Sequence, residues 1–298
     1  MDLYVFLKSN KIFSISQVAQ DTQLATHVQQ NLIRLGLLAP PADGKVGPLT
    51  TAAIEEMRSR LKVSEPALGP LLAKALIQCK ELPMPELHLG NDLASRIIKY
   101  MLHYNYNVDF EQKHYNLVYV EGMSEDGSLN DNAPDTWSAQ RLLIEIIRGV
   151  PKIVFSQAAT TRPGIYWDSQ GGMEGNGAAF LTIRQHTKAW SVGLHDGNPD
   201  HPALVQTGEV EIIRDAKEIF QRSGYPRESG LYGINNHHGW NSETVYNTSA
   251  GCLVGQSIDL HLQFMGLIKQ DARYIADNDY QFSATLIYGP DLVKQSPT

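Results

Sequence analysis

The chain is predicted to be an α+β, multidomain protein. A small helical unit at the N-terminus is followed by a mainly β unit, sandwich or barrel, with a few helices. Three observations predict this. Val28, Leu32, Leu35 and Leu38 recur at helical spacing within the first 64 residues. From about residue 116 the apolar runs become short and rich in β-branched residues, with Gly, Asn, Asp and Pro between them. Between these regions Pro66, Pro70, Pro83 and Pro85 interrupt any long element. The expected divisions are 1–64, a linker with helices over 65–115, and 116–298.

In chain order, the first helical run ends at Gly36 and a Pro-Pro loop. The turn PPADGKVGP leads into TTAAIEEMRSRL, where Thr50 or Thr51 is the expected cap and Ala53, Ile54 and Met57 the apolar face. ALGPLLAKALIQCK and NDLASRIIKYMLHYN read as two further helices. Strands are expected at NLVYVEGM, RLLIEII, VPKIVFSQAAT, AAFLTIRQH, KAWSVGLH, ALVQ, VEIIRD, LYGINNHH, CLVG and FSATLIYG. One helix interrupts them, SIDLHLQFMGLIKQDARYI. Ser257 is its cap and Ile258, Leu262, Met265 and either Ile268 or Leu267 its buried stripe.

Composition narrows the function. The net charge is −7 and no basic cluster is present, which argues against nucleic acid as a partner. No run approaches the ~18 apolar residues of a membrane span. LYVFL is too short for a secretory leader, so the export route is not specified. Two cysteines, Cys79 and Cys252, are too few for a disulfide framework.

The segment from Val28 resembles the three-helix peptidoglycan-binding domain. The match runs through Val28-Gln29, Leu32, Leu35-Gly36, Asp43-Gly44, Val46-Gly47-Pro48, Thr51, Ala53 and Ile54. Met57-Arg58 stand where that family has an aromatic residue and Gln. The resemblance implies a small N-terminal three-helix bundle that anchors the chain to peptidoglycan.

The stretch GINNHHGWNSETVYNTSAGCLVG places Cys252 fifteen residues after His237 and fourteen after His238. A thiol nucleophile needs a base, a turn that exposes it, and amides for the oxyanion. His237 or His238 is the candidate base. Gly251 allows close approach, and the Gly251 and Cys252 amides, with Ser249 nearby, are the candidate oxyanion pocket. Adjacent histidines on a strand point to opposite faces, so one of the two is expected to face the thiol, with His237 preferred.

Histidine, Gly239, a gap and then Ser249-Ala250-Gly251-Cys252 resemble the L,D-transpeptidase catalytic domain. That resemblance implies cysteine-dependent acyl transfer on peptidoglycan stem peptides, crosslinking or hydrolytic, with no cofactor and no metal, in the cell wall or periplasm. Ala250 and Val254 stand where the family often has His and Arg or Asn. Arg184 or Arg214 is expected to supply the missing charge, and Trp240 to line a substrate groove.

Other motifs read as structure. HDGNPDH, with His195, Asp196 and His201, lacks a third ligand at a zinc spacing and is expected to be a turn. EDGSLNDNAPD lacks the alternating ligands of a calcium loop. QGGMEGNG has no Lys-Ser or Lys-Thr for a phosphate loop and is expected to be a mobile flap over the site. The alternatives are a non-catalytic peptidoglycan-binding protein, a wall metallopeptidase, or an intracellular protein with no wall role.

Overall fold

A computed structural model describes residues 1–215 and 226–295. The chain divides into two compact units. The first comprises Met1–His88, Asp109–His114 and Glu145–Val150; the second comprises Leu89–Val108, Tyr115–Ile144 and the chain from Pro151 onward. The expected linker is therefore split between them.

The first unit holds five helices rather than three: α1 (Leu3–Ser9), α2 (Ile15–Gln20), α3 (Thr22–Arg34), α4 (Pro48–Leu61) and α5 (Pro70–Gln78). Asp2, Ser14 and Asp21 cap the first three through their side chains. Pro48 and Pro70 open the other two, after Gly47 and Gly69. Helix α5 belongs to this core because Leu72, Ala73 and Leu76 are buried with Phe6, Leu32 and Ile54. Thr50 is not the cap of α4. It lies inside the helix, buried, because the buried Gln29 needs it. The Gln29 amide donates to Asp43 Oδ1 (3.0 Å), the Lys45 carbonyl (3.0 Å) and Thr50 Oγ1 (3.2 Å), and it accepts from the Gly44 amide (2.7 Å). Gly44 has φ +72°, and a Cβ there would lie 2.6 Å from Thr22 Cγ2. The Asp43-Gly44 turn is thus fixed by one glutamine.

The second unit is built on a closed barrel. Its strands are β1 (Asn116–Glu121), β2 (Ala139–Ile147), β3 (Val150–Thr160), β5 (Gln185–Leu194), β6 (Pro202–Gln206), β9 (Asn236–His238), β10 (Leu253–Gly255) and β11 (Phe282–Tyr288). Their order around the barrel is β1-β11-β5-β6-β9-β10-β3-β2. The β1–β11 and β9–β10 pairs are parallel. A separate sheet joins β4 (Ala178–Leu181), β7 (Val210–Asp215) and β8 (Arg227–Gly230) in the order β4-β7-β8. Among the described residues five α-helices complete the unit: α6 (Leu93–His103), α7 (Ile165–Ser169), α8 (Ile258–Ile268), α9 (Ala272–Ala276) and α10 (Gly289–Gln295). Among the described residues no helix is long and apolar enough to cross a membrane.

Three local expectations change. The run LYGINNHH is a ladder strand only at its last three residues. The Gln206 side chain takes the Tyr232 and Ile234 amides at 3.0 and 2.9 Å, and Gly233 has φ +68°. The long helix breaks into α8 and α9 where buried Asp271 caps the second piece and accepts from the Tyr115 amide at 2.9 Å. The buried stripe of α8 is His261, Phe264, Met265 and Ile268, while Leu262 is exposed. The rotation brings a histidine inward because a buried arginine waits there.

Replacing Gln29 by Leu is expected to leave the Gly44 amide and the Lys45 carbonyl without partners. The cost is about 2 kcal/mol, read as a lower urea midpoint in the helical circular dichroism signal.

Candidate functional site

Arg141 on β2 sets the site strands. Its side chain is fully buried, and among the described residues no carboxylate pairs with it. Nε donates to the Tyr119 hydroxyl at 2.7 Å, and Nη1 to His261 Nδ1 at 2.8 Å. Nη2 donates to the His237 carbonyl (3.0 Å) and the Leu253 carbonyl (3.1 Å). The guanidinium also lies over the Phe264 ring, 4.7 Å from its centroid. One side chain therefore ties β1, β9, β10 and α8. His261 Nε2 donates to the Pro202 carbonyl at 2.8 Å, which leaves Nδ1 free to accept from Arg141. Burial together with the neighbouring Arg141 charge holds His261 neutral, its pKa pushed down to about 2.

Cys252 ends a tight turn just before β10. Gly251 has φ +132°, and a Cβ on it would lie 2.5 Å from the Ala179 carbonyl oxygen, so only glycine lets the turn press against β4. Ser249 is buried. Its hydroxyl donates to the Cys252 carbonyl at 2.9 Å and accepts from the Gly251 amide at 3.2 Å. The expected oxyanion pocket is altered accordingly: the Gly251 amide is occupied, whereas the Cys252 amide has no acceptor among the described residues. Ser249 holds the turn.

The thiol is half-buried. It accepts from the Asn235 amide at 3.4 Å and donates toward the Gly233 carbonyl at 3.7 Å. Burial pushes its pKa up to about 11, so it rests as the thiol. Neither His237 nor His238 hydrogen-bonds to it. Register explains this: β10 pairs with β9 from Leu253↔Asn236 onward, so Cys252 falls beside Asn235 and ahead of both histidines.

The two histidines are occupied by another pair. The HDGNPDH segment is a turn, with Asp196 at φ +50°, and it carries His195 and His201 onto them. His195 stacks on His237 at 3.9 Å between centroids, and His201 on His238 at 3.8 Å. His201 also meets the His237 ring edge-on at 5.1 Å. Trp240, largely exposed at φ +59°, closes over His201 and His238. Stacked rings hold their nitrogens in near-parallel planes rather than aimed at one point. Among the described residues no group of three or more His, Cys, Asp or Glu could hold a metal ion.

Of the four stacked histidines only His195 is not fully buried. Asn235 links it to the thiol: the Asn235 side-chain amide donates to His195 Nδ1 at 3.0 Å, while its backbone amide serves Cys252. Asn235 Oδ1 accepts from the Gln206 amide at 2.9 Å, which fixes the orientation of the side chain. His195 Nε2 lies 3.5 Å from Asp196 Oδ2. Sequence reading missed Asn235, Arg141 and the role of His195. The pairing of HDGNPDH with the His-His strand carries no signature of spacing.

Arg184 and Arg214 do not act as free cations. Arg184 pairs with Glu211 at 3.0 Å; Arg214 pairs with Glu228 at 3.2 Å and Glu174 at 3.5 Å. The glycine-rich loop 170–177 closes on itself through Gly177 N to Gly171 O (2.7 Å) and Gly172 N to Trp167 O (2.8 Å).

No family model matches the chain, and no curated protein matches it. Two solved structures show a low similarity. One is a fused Zn-dependent amidase/peptidase/peptidoglycan-binding domain-containing protein from Clostridium acetobutylicum ATCC 824, at 13% identity over 93% of this chain and 99% of that one, TM-score 0.27. The other is an L,D-transpeptidase from Xylanimonas cellulosilytica DSM 15894, at 13% identity over 88% and 92%, TM-score 0.20. Similarity this low carries no argument about fold or function.

Two outcomes are expected. Arg141→Met removes the donors for two buried carbonyls and for His261, and should cost at least about 3 kcal/mol in chemical denaturation. The second concerns pH. Burial lowers the pKa of His201, and of His186 on β5, to about 4. Below their ordinary value of 6.5 the unfolded chain takes up protons that the folded chain refuses. Stability is therefore full above that value and falls as pH drops toward 4, by about 1.4 kcal/mol per pH unit for each such histidine. A denaturant midpoint that stays level across this window would contradict it.

Proposed function

We propose that the barrel unit performs cysteine-dependent acyl transfer on the peptide stems of peptidoglycan, and that the helical unit binds the same polymer, outside the cytoplasm. The observation that carries the reading is the Ser249–Cys252 turn. It sets a half-buried thiol and an unoccupied backbone amide on the same residue, with Asn235 connecting the thiol to a neutral imidazole. The peptidoglycan substrate follows from the motif resemblances of the two units.

His195, rather than His237 or His238, is the base in this proposal. Burial lowers its pKa, so it is neutral and able to accept a proton. As substrate seats, His195 Nδ1 gives up the hydrogen bond it accepts from Asn235 and takes the thiol proton on that lone pair, and Sγ attacks the peptide carbonyl carbon. The oxyanion accepts from the Cys252 amide. The C–N bond breaks, the leaving amine takes the proton from His195, and a thioester remains. An incoming amine or water then attacks the thioester, His195 taking its proton and returning it to sulfur. Asp196 stabilises the imidazolium during each transfer. His237 and His238 support the His195 and His201 rings.

A second reading, wall binding without catalysis, is favoured by the raised thiol pKa and by the lack of a direct thiol–imidazole hydrogen bond. Muropeptide turnover followed by mass spectrometry separates the two. Cys252→Ala is expected to abolish product, and His195→Ala to lower kcat by roughly 10²–10⁴ with folding retained. Absence of any mass change with wild-type protein, over stems of several lengths, would establish the non-catalytic reading.

A further inference from the structure

An aromatic ledge lies beside the thiol turn. The Gly164 amide donates to the Ser249 carbonyl at 2.8 Å, joining the start of α7 to the turn that ends three residues later at Cys252. Tyr166 of α7 and Tyr246 have ring centroids 5.4 Å apart, and Trp167 meets Tyr166 edge-on at 5.1 Å. The arrangement is held firmly. Asp135 Oδ1 accepts from the amides of both Ile165 (3.0 Å) and Tyr246 (2.6 Å), and Trp167 Nε1 donates to the Asn247 carbonyl at 2.9 Å. A Cβ at residue 164 would sit 1.8 Å from the Tyr246 carbonyl oxygen, so glycine is what lets the two segments touch. Tyr246 has φ +38°, a left-handed value that a bulky residue adopts only where its surroundings hold it.

Rings held this firmly would ordinarily be core. Instead Tyr166 is 37% exposed and Tyr246 49%. Neither hydroxyl has a partner among the described residues. The surface thus offers π faces with unoccupied hydroxyls at their edges. A pyranose ring presents the complement: a face of C–H groups that suits the negative face of an aromatic ring, and a rim of hydroxyl and acetamido groups for the phenols. Nucleobases stack on such rings too, but their phosphates would meet Asp135 and a chain of net charge −7.

We propose that the ledge formed by Tyr166, Trp167 and Tyr246 binds sugar rings of a glycan strand and so brings the attached peptide to Cys252. This rests on the acyl-transfer reading of the site, but its test is binding alone. A peptide-free N-acetylglucosamine tetrasaccharide is titrated by calorimetry into the full chain and into Cys252→Ala, and saturation transfer to the sugar is recorded by NMR. Both proteins are expected to bind it, with ring C–H protons of the sugar receiving saturation from aromatic protons. The double variant Tyr166→Ala/Tyr246→Ala should weaken binding by about tenfold or more. Tyr166→Phe/Tyr246→Phe, which keeps the rings, should retain most of it. Equal affinity in the Ala pair and wild type would overturn the proposal, as would no binding to wild type. If the Ala pair does not fold, the Phe pair and saturation transfer decide: no transfer from aromatic protons also overturns it. Ledge-dependent binding without muropeptide turnover would defeat the catalytic reading and leave the ledge standing.

Discussion

A single guanidinium, buried in the barrel with no carboxylate partner among the described residues, is the constraint on which the site depends. Arg141 reaches two backbone carbonyls, His237 and Leu253, that lie on adjacent short parallel strands. Those strands have three residues each and little ladder of their own. A buried charge is tolerable only when its donors are met, and Arg141 meets them with carbonyls, a phenol and an imidazole. The same bonds therefore satisfy the cation and fix where β9 and β10 lie, and with them Asn235 and Cys252 at their entrances.

From that anchor the histidines acquire their state. His261 gives its Nδ1 to Arg141 and its N–H to Pro202, so it is neutral by necessity. The other four rings pack against one another, and any proton added would sit among neighbours that are themselves near Arg141. Desolvation and mutual repulsion thus act in the same direction. In the proposed reaction, chemistry at neutral pH begins from neutral imidazole and intact thiol, with the proton moving only once a substrate carbonyl is in place. Asn235 is central because one residue contacts both partners, through its backbone on one side and its amide on the other.

Much of the fold was legible in local patterns. The helix cap at Ser257, the Asp43-Gly44 turn and most barrel strands follow from residues within a few positions of each other. The failures have a common cause. Thr50 and Thr51 have the local pattern of a cap, and the distant Gln29 that Thr50 serves leaves no local sign. Leu262 falls on the apolar stripe by spacing alone, which carries no trace of Arg141 drawing His261 inward. Leu231–Asn235 has strand composition, and nothing nearby announces that the Gln206 side chain takes its amides.

For the site, the sequence by itself determined the Ser-Ala-Gly-Cys turn, its glycine and the presence of two histidines a short way upstream. Those are short-range properties, set by backbone conformation and residue type. Only the tertiary structure decided that His195 and His201 arrive from another loop, that neither His237 nor His238 hydrogen-bonds to the thiol, and that Arg184 and Arg214 are held by carboxylates. Strand register and cross-barrel hydrogen bonds control these outcomes. They join residues dozens of positions apart, and no local spacing encodes which of those residues meet.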